Sequence, residues 1–119
     1  MKSDGAHPDA ELTEQQLIGL RERLIDERRK LSDSLSSLAD DLGVKPDCSI
    51  RDWADAASYS ETRRRTAEVA IGTRRMLSSV EDALARMDNG TYGVSAHTGE
   101  PIPFERLHVL PWAQTTVDE

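Results

Sequence analysis

Leucine recurs at seven-residue intervals through the first half of the chain, at Leu17, Leu24, Leu31 and Leu38. Leu35 and Leu42 add a second stripe offset by four, with Leu20 beside them. That spacing gathers the large apolar side chains on one face of a helix, and such a face needs a partner helix along its length. Arg21 and Arg28 interrupt the second stripe near its N-terminal end. Thr13 followed by Gln16 has the form of a capping box, which predicts a helix start near Glu14, and Gly43 with Pro46 predicts its end. At about 1.5 Å per residue the segment would be a rod of roughly 43 Å.

A second periodic segment runs from about Ala54 to Asp88. Val69, Met76 and Ala83 share one stripe, Thr73, Val80 and Met87 the next, and Leu77 and Leu84 flank them. "DNG", Asp88 to Gly90, is a strong stop. Between the two segments "VKPDCSIRDW" carries turn chemistry. Two long helices with matching seams and a short connector predict a mainly α fold, an antiparallel coiled-coil hairpin. The polar run "SETRRRTAE" predicts looser packing in the half of the hairpin nearest the connector.

After Gly90 the pattern breaks into short pieces punctuated by Pro101, Pro103 and Pro111, with Ile102, Phe104, Leu107, Val109, Leu110 and Trp112 as apolar mass. These predict a small C-terminal lobe. The expected layout is a flexible N-terminal tail over 1–12 and a hairpin over 13–89, with helices at about 14–42 and 54–88 and a tip at 44–57. The lobe takes 90–119.

Composition narrows the functions open to such a chain. A formal charge of -7 argues against a dominant DNA- or RNA-binding role, because phosphate binding is driven by Lys and Arg neutralisation. Cys48 is the one cysteine, so no intramolecular disulfide forms, which fits a reducing cytoplasm. "MKSDGAHPDAELTEQ" lacks the apolar region of a signal peptide, and no apolar run approaches the roughly 20 residues that span a bilayer. A cytoplasmic protein without a membrane partner is expected.

The stretch "RDWADAASYSE", Arg51 to Glu61, supports two readings. In one, Asp52 or Asp55 caps the second helix, since a carboxylate accepts free N–H groups and favours the positive end of the dipole. In the other, the acids form the tip of a slim probe. Ala54, Ala56 and Ala57 would keep it narrow, and Trp53 would stand exposed with little core to join. Two acids alone would hold Mg²⁺ only jointly with a partner.

The order "DWADAA", "YGVSAHTG", "IPFERL", "LPWA" resembles the DksA/TraR family of bacterial transcription regulators, over about residues 12 to 119. The resemblance places the family's tip motif, Asp-x-Ala, on Asp55 and Ala57, with Asp52 and Trp53 beside them. It places the lobe pattern on Tyr92-Gly93, Ile102, Arg106-Leu107, Pro111 and Ala113. The family's four cysteine ligands fall on Ser95, Thr98, Thr116 and Glu119. Neutral hydroxyls are poor Zn²⁺ ligands, and His97 and His108 read as surface residues of polar turns, so the resemblance implies a variant without zinc or any other cofactor. Burial of Ile102, Phe104, Leu107, Leu110 and Trp112 would then hold the lobe.

By the same resemblance the protein is not an enzyme. It would insert its tip into the secondary channel of RNA polymerase to modulate initiation, as a monomer that does not contact DNA, with Arg106 and Leu107 docking at the channel rim. The family's basic contacts to the alarmone guanosine tetraphosphate correspond to Ser79 and Leu110, so its response to that alarmone is expected to be weak or absent. Arg63, Arg64, Arg65, Arg74 and Arg75 could form another anion patch, although a solvated helix face is the expectation. Two alternatives stand beside this reading: a Gre-like transcript-cleavage factor whose tip acids hold Mg²⁺, and a helical-hairpin protein with a partner other than polymerase.

Overall fold

A reciprocal capping box opens the first helix. The amide of Thr13 donates to Gln16 Oε1 at 3.0 Å, and the amide of Gln16 donates to Thr13 Oγ1 at 3.1 Å. The computed structural model describes residues 5–57 and 60–116. In chain order its helices are α1 (Glu14–Leu42), α2 (Ile50–Ala56), α3 (Glu61–Asn89) and α4 (Phe104–Val109). The fold is mainly helical, and the two 29-residue helices, α1 and α3, pack together as a coiled-coil hairpin. Both end on glycine in the left-handed region, Gly43 and Gly90, each at φ 71°. Beyond them Val44 N donates to Ala39 O at 3.0 Å, and Thr91 N donates to Arg86 O at 2.8 Å. Those bonds satisfy helix-end carbonyls that would otherwise lack a donor.

Two compact units are built on these helices. The first comprises Met1–Glu27 and Ser79–Glu119. Its core takes Leu17, Leu20 and Leu24 from α1, Val80, Ala83, Leu84 and Met87 from α3, and Tyr92, Ile102 and Leu107 from the lobe. Residues 5–12, expected to be a loose tail, belong to this unit. His7 N donates to Tyr92 O at 2.8 Å, and Tyr92 N donates to Gly5 O at 3.3 Å. Gly5, at φ 103°, lies so close to Met87 that a Cβ there would meet its carbonyl oxygen at 2.9 Å. A segment with few apolar side chains docks through its backbone, which hydrophobic patterning does not register.

The second unit, Arg28–Ser78, is centred on Trp53. The indole is fully buried in a cluster with Leu35, Ala39, Leu42, Ala57, Ala67, Ala70 and Leu77. The exposed tip aromatic expected of this residue is therefore corrected. The indole shares its cluster with four alanines, Ala39, Ala57, Ala67 and Ala70.

The second helix is also divided. The span expected at about 54–88 is instead α2, beginning at Ile50, followed by α3 from Glu61. Each has its own serine cap. Asp52 N donates to Ser49 Oγ at 3.1 Å, and Arg63 N donates to Ser60 Oγ at 3.1 Å. Neither Asp52 nor Asp55 caps the long helix.

The interior seam of α3 runs through Ala67, Ala70, Leu77, Val80, Leu84 and Met87. Val69 and Met76, expected in the seam, are 58% and 36% exposed. Alanine carries little weight in an apolar pattern, so the larger residues one position away drew the stripe. Leu24→Ala should therefore lower unfolding free energy by about 2–5 kcal/mol. Val69→Ala should stay within about 0.5 kcal/mol, as for surface substitutions generally. Urea titration of both variants checks this, and equal losses would contradict the placement of the seam.

Candidate functional site

The tip motif lies on α2, a helix of seven residues. The Ser49 cap starts it, and Asp52 in its first turn suits the positive dipole end. The two faces of this helix differ. Trp53 and Ala57 point inward and are buried, whereas Arg51, Asp52, Ala54 and Asp55 are exposed. Asp52 and Asp55, three residues apart, are neighbours on the outer face. Ala57, the C-cap residue of α2, is therefore chiefly a packing residue, 9% exposed at the floor of a shallow cavity it lines with Ala54 and Ala67.

Two arginines of α3 hold this segment by its backbone. Arg63 donates from Nε to Ala56 O at 2.8 Å and from Nη2 to Leu42 O at 2.9 Å. Arg74 donates from Nη1 to Cys48 O at 3.1 Å and lies 3.4 Å from Pro46 O. Arg64 pairs with Glu61 at 2.7 Å, and Arg65 approaches the same carboxylate at 3.7 Å. Within the arginine run, Arg63 and Arg74 are thus half-buried on backbone carbonyls, while Arg64, Arg65 and Arg75 stand exposed as expected of a solvated face. Cys48 is half-buried. Desolvation, with Asp52 and Asp47 adding to it against Arg74, raises its thiol pKa, so the site does not favour the reactive thiolate.

In the lobe, Ser95 opens a tight turn. Ser95 N donates to Glu100 O at 2.7 Å, and Gly99 N donates to Ser95 O at 3.0 Å. The buried Ser95 hydroxyl lies 3.2 Å from the amide of His97 and 3.3 Å from that of Thr98, accepting from both. Thr98 Oγ1 accepts from Glu100 N at 3.3 Å. Ala96 N reaches Gln114 O at 2.7 Å and ties the C-terminal segment to this turn. Beneath it Tyr92, fully buried, donates its hydroxyl to Pro111 O at 2.6 Å. Burial raises the Tyr92 pKa well above the usual phenol range, against the pull of Arg86 and Arg23.

Three arginines secure the pieces of the lobe. Arg106 donates from Nε to Thr115 O at 2.7 Å, Arg23 donates to His108 O, and Arg86 Nη2 lies 3.5 Å from both Trp112 O and Ala113 O. Desolvation lowers the Arg86 pKa, opposed by Tyr92 and Asp82.

No family model matches the chain. General stress protein 16O of Bacillus subtilis is 33% identical over 110 residues, covering 90% of this chain and 68% of that protein. The RNA polymerase-binding transcription factor DksA of Caulobacter vibrioides is 29% identical over 108 residues, covering 91% of this chain and 70% of that protein. The structure of transcription factor DksA2 from Pseudomonas aeruginosa superposes with a TM-score of 0.67 at 29% identity, covering 86% of this chain and 78% of the other. The chain belongs to the DksA/TraR family.

Against the family's zinc pattern, this member's donor set does not fit the metal. Ser95 and Thr98 are neutral hydroxyls already engaged by amides of their own turn, Thr116 is a third hydroxyl, and Glu119 lies outside the described residues. Among the described residues no group of three or more His, Cys, Asp or Glu side chains is placed to hold an ion. His97 is exposed, and His108 packs against the ring of Phe104 at 5.6 Å. The lobe's interior also differs from expectation. Tyr92, Ile102 and Leu107 are fully buried, whereas Phe104, Leu110 and Trp112 are only half-buried.

Of the docking pair expected of a DksA/TraR lobe, Leu107 is inaccessible and is corrected, whereas Arg106 is half-buried with its guanidinium bonded to Thr115. Sequence reading missed the burial of Tyr92 and the roles of Arg63, Arg74 and Arg86. The adjacent Gly93, where a Cβ would meet Ala10 at 2.8 Å, was the available signal that the backbone at Tyr92 is closely packed.

Tyr92→Phe leaves the Pro111 carbonyl without its donor and should cost about 1–3 kcal/mol. The unfolded phenol loses its proton near pH 10 while the folded one keeps it, so stability is full below about pH 10 and falls above it. Melts between neutral and alkaline pH should show that fall in the wild type and a shallower one in Tyr92→Phe. An equal alkaline slope in both would contradict the assignment.

Proposed function

We propose that this chain binds RNA polymerase and reaches into its secondary channel with α2, modulating initiation without contacting DNA and without zinc. The observation that carries the reading is the two-faced tip helix. Asp55 stands exposed with Asp52 beside it, while Trp53 and Ala57 of the same short motif are buried and fix the helix that presents them. Membership in the DksA/TraR family supports it, as do the polymerase-binding relative from Caulobacter and the net charge of -7, which disfavours free nucleic acid.

Asp55 is the effector in this reading, and Asp52 shapes the field around it. Leu107 contributes by holding α4 from within, and half-buried Arg106 is the member of the pair that docks at the channel rim. Ser79 and Leu110 provide no cation for an alarmone phosphate, which makes that response weak or absent. The protein works as a cytoplasmic monomer and is not an enzyme. Among the described residues no helix is long and apolar enough to cross a membrane.

Purified protein should bind polymerase core and alter initiation from responsive promoters. Asp55→Asn should keep the binding and lose the effect. Absence of binding, or an Asp55→Asn variant as active as the wild type, would contradict the proposal. Shortened RNA in stalled elongation complexes would instead favour transcript cleavage. For the lobe, elemental analysis should find substoichiometric zinc and strong chelation should leave the melting curve unchanged. Stoichiometric zinc, or collapse on chelation, would overturn that part.

A further inference from the structure

Burial of Trp53 explains why α2 stays attached, but not why it holds one orientation. Hydrophobic contact is non-directional. A helix of seven residues has too few internal bonds to be stable alone. The C-cap amide of Ala57 turns back to the carbonyls of Ala54 and Asp55, but the final carbonyl, that of Ala56, lies beyond its reach. Directional bonds are needed, and α3 supplies them.

We infer that Arg63 and Arg74 are positioning residues of the tip, fastening α2 and the segment that leads into it and so fixing where Asp55 stands. The consequence for transcription rests on the polymerase reading above. Arg63 and Arg74 are eleven residues apart, about three helical turns, and therefore share a face of α3. Both are half-buried. Arg74 grips the entry to the tip at Pro46 and Cys48, and Arg63 grips its exit at Ala56.

Arg63 does more than close the exit. Its second bond goes to Leu42, the last residue of α1, so one guanidinium joins the C-terminal carbonyls of two helices. A cation there also meets the negative ends of both dipoles. The bonds leave from different nitrogens, Nε and Nη2, in the fixed fork that lysine lacks. Arg74 uses the single nitrogen Nη1 for both of its contacts. The two sites therefore differ in what a lysine can restore. Arg64, which pairs with exposed Glu61, is an internal control on the same helix.

The fastening is read without polymerase, by acrylamide quenching of Trp53 in a Trp112→Phe background. Arg63→Met and Arg63→Lys should both raise quenching several-fold, Arg74→Lys should raise it less than Arg74→Met, and Arg64→Met should leave it unchanged. In transcription assays at saturating protein, Arg63→Met should weaken the effect on initiation by about tenfold or more, the scale on which a lost charged hydrogen bond shifts an equilibrium. Half-maximal binding to polymerase should change little, and Arg63→Met should add nothing in an Asp55→Asn background. A Trp53 as shielded in Arg63→Met as in the wild type would overturn the inference. So would an exposed Trp53 with initiation control intact while Asp55→Asn abolishes it. If Asp55→Asn itself is silent, the polymerase reading falls, and quenching still decides the fastening.

Discussion

The burial of one indole makes the tip possible. Trp53 is fully enclosed among leucines of α1 and alanines of α3, and its burial supplies the apolar contact that a seven-residue helix cannot generate internally. The same packing requires small residues opposite, at Ala39, Ala57, Ala67 and Ala70. It also sorts the motif into an inner and an outer half. With Trp53 and Ala57 turned inward, helical periodicity leaves Asp52 and Asp55 facing solvent. Two exposed carboxylates on a fastened helix follow from where the tryptophan went.

A recurring physical device does the remaining work in both units: arginine donating to backbone carbonyls. Arg63 and Arg74 do this in the second unit, and Arg23, Arg86 and Arg106 in the first. Helix ends and segments outside regular structure have carbonyls without partners, and a guanidinium satisfies them with charge-assisted bonds. In the lobe the arginines act alongside Tyr92 and the hydroxyls of Ser95 and Thr98. Ser95 and Thr98, two of the four positions where the sequence resemblance expects metal ligands, are here acceptors for turn amides. Cohesion is distributed over many modest bonds and one buried aromatic.

The hairpin was legible because its signals are local. The Thr13–Gln16 box and the stops at Gly43 and Gly90 have fixed sequence forms, and the leucine stripe of α1 repeats long enough to give its period. The seam of α3 was harder to read, because alanine at Ala67 and Ala70 marks the interior without looking apolar enough to define a stripe. Trp53 was misplaced for a related reason: a tryptophan in a polar connector looks exposed unless the cavity made by distant alanines is known. The motif letters at Asp55 and Ala57 gave the tip's location, but not that Ala57 is inside it. Long-range arginine–carbonyl bonds leave no periodic trace, so Arg63 read as one charge among several. The docking of residues 5–12 was hidden in the same way.

Ala54 offers the most direct access to the central claim, since it is exposed on the outer face of α2 between Asp52 and Asp55. A photo-crosslinker placed at that position, activated in the presence of RNA polymerase, reports what the tip touches. The expected crosslinks fall on catalytic-subunit segments lining the secondary channel, close to the active centre. Crosslinks confined to the outer surface of polymerase, or to another protein altogether, would contradict that claim.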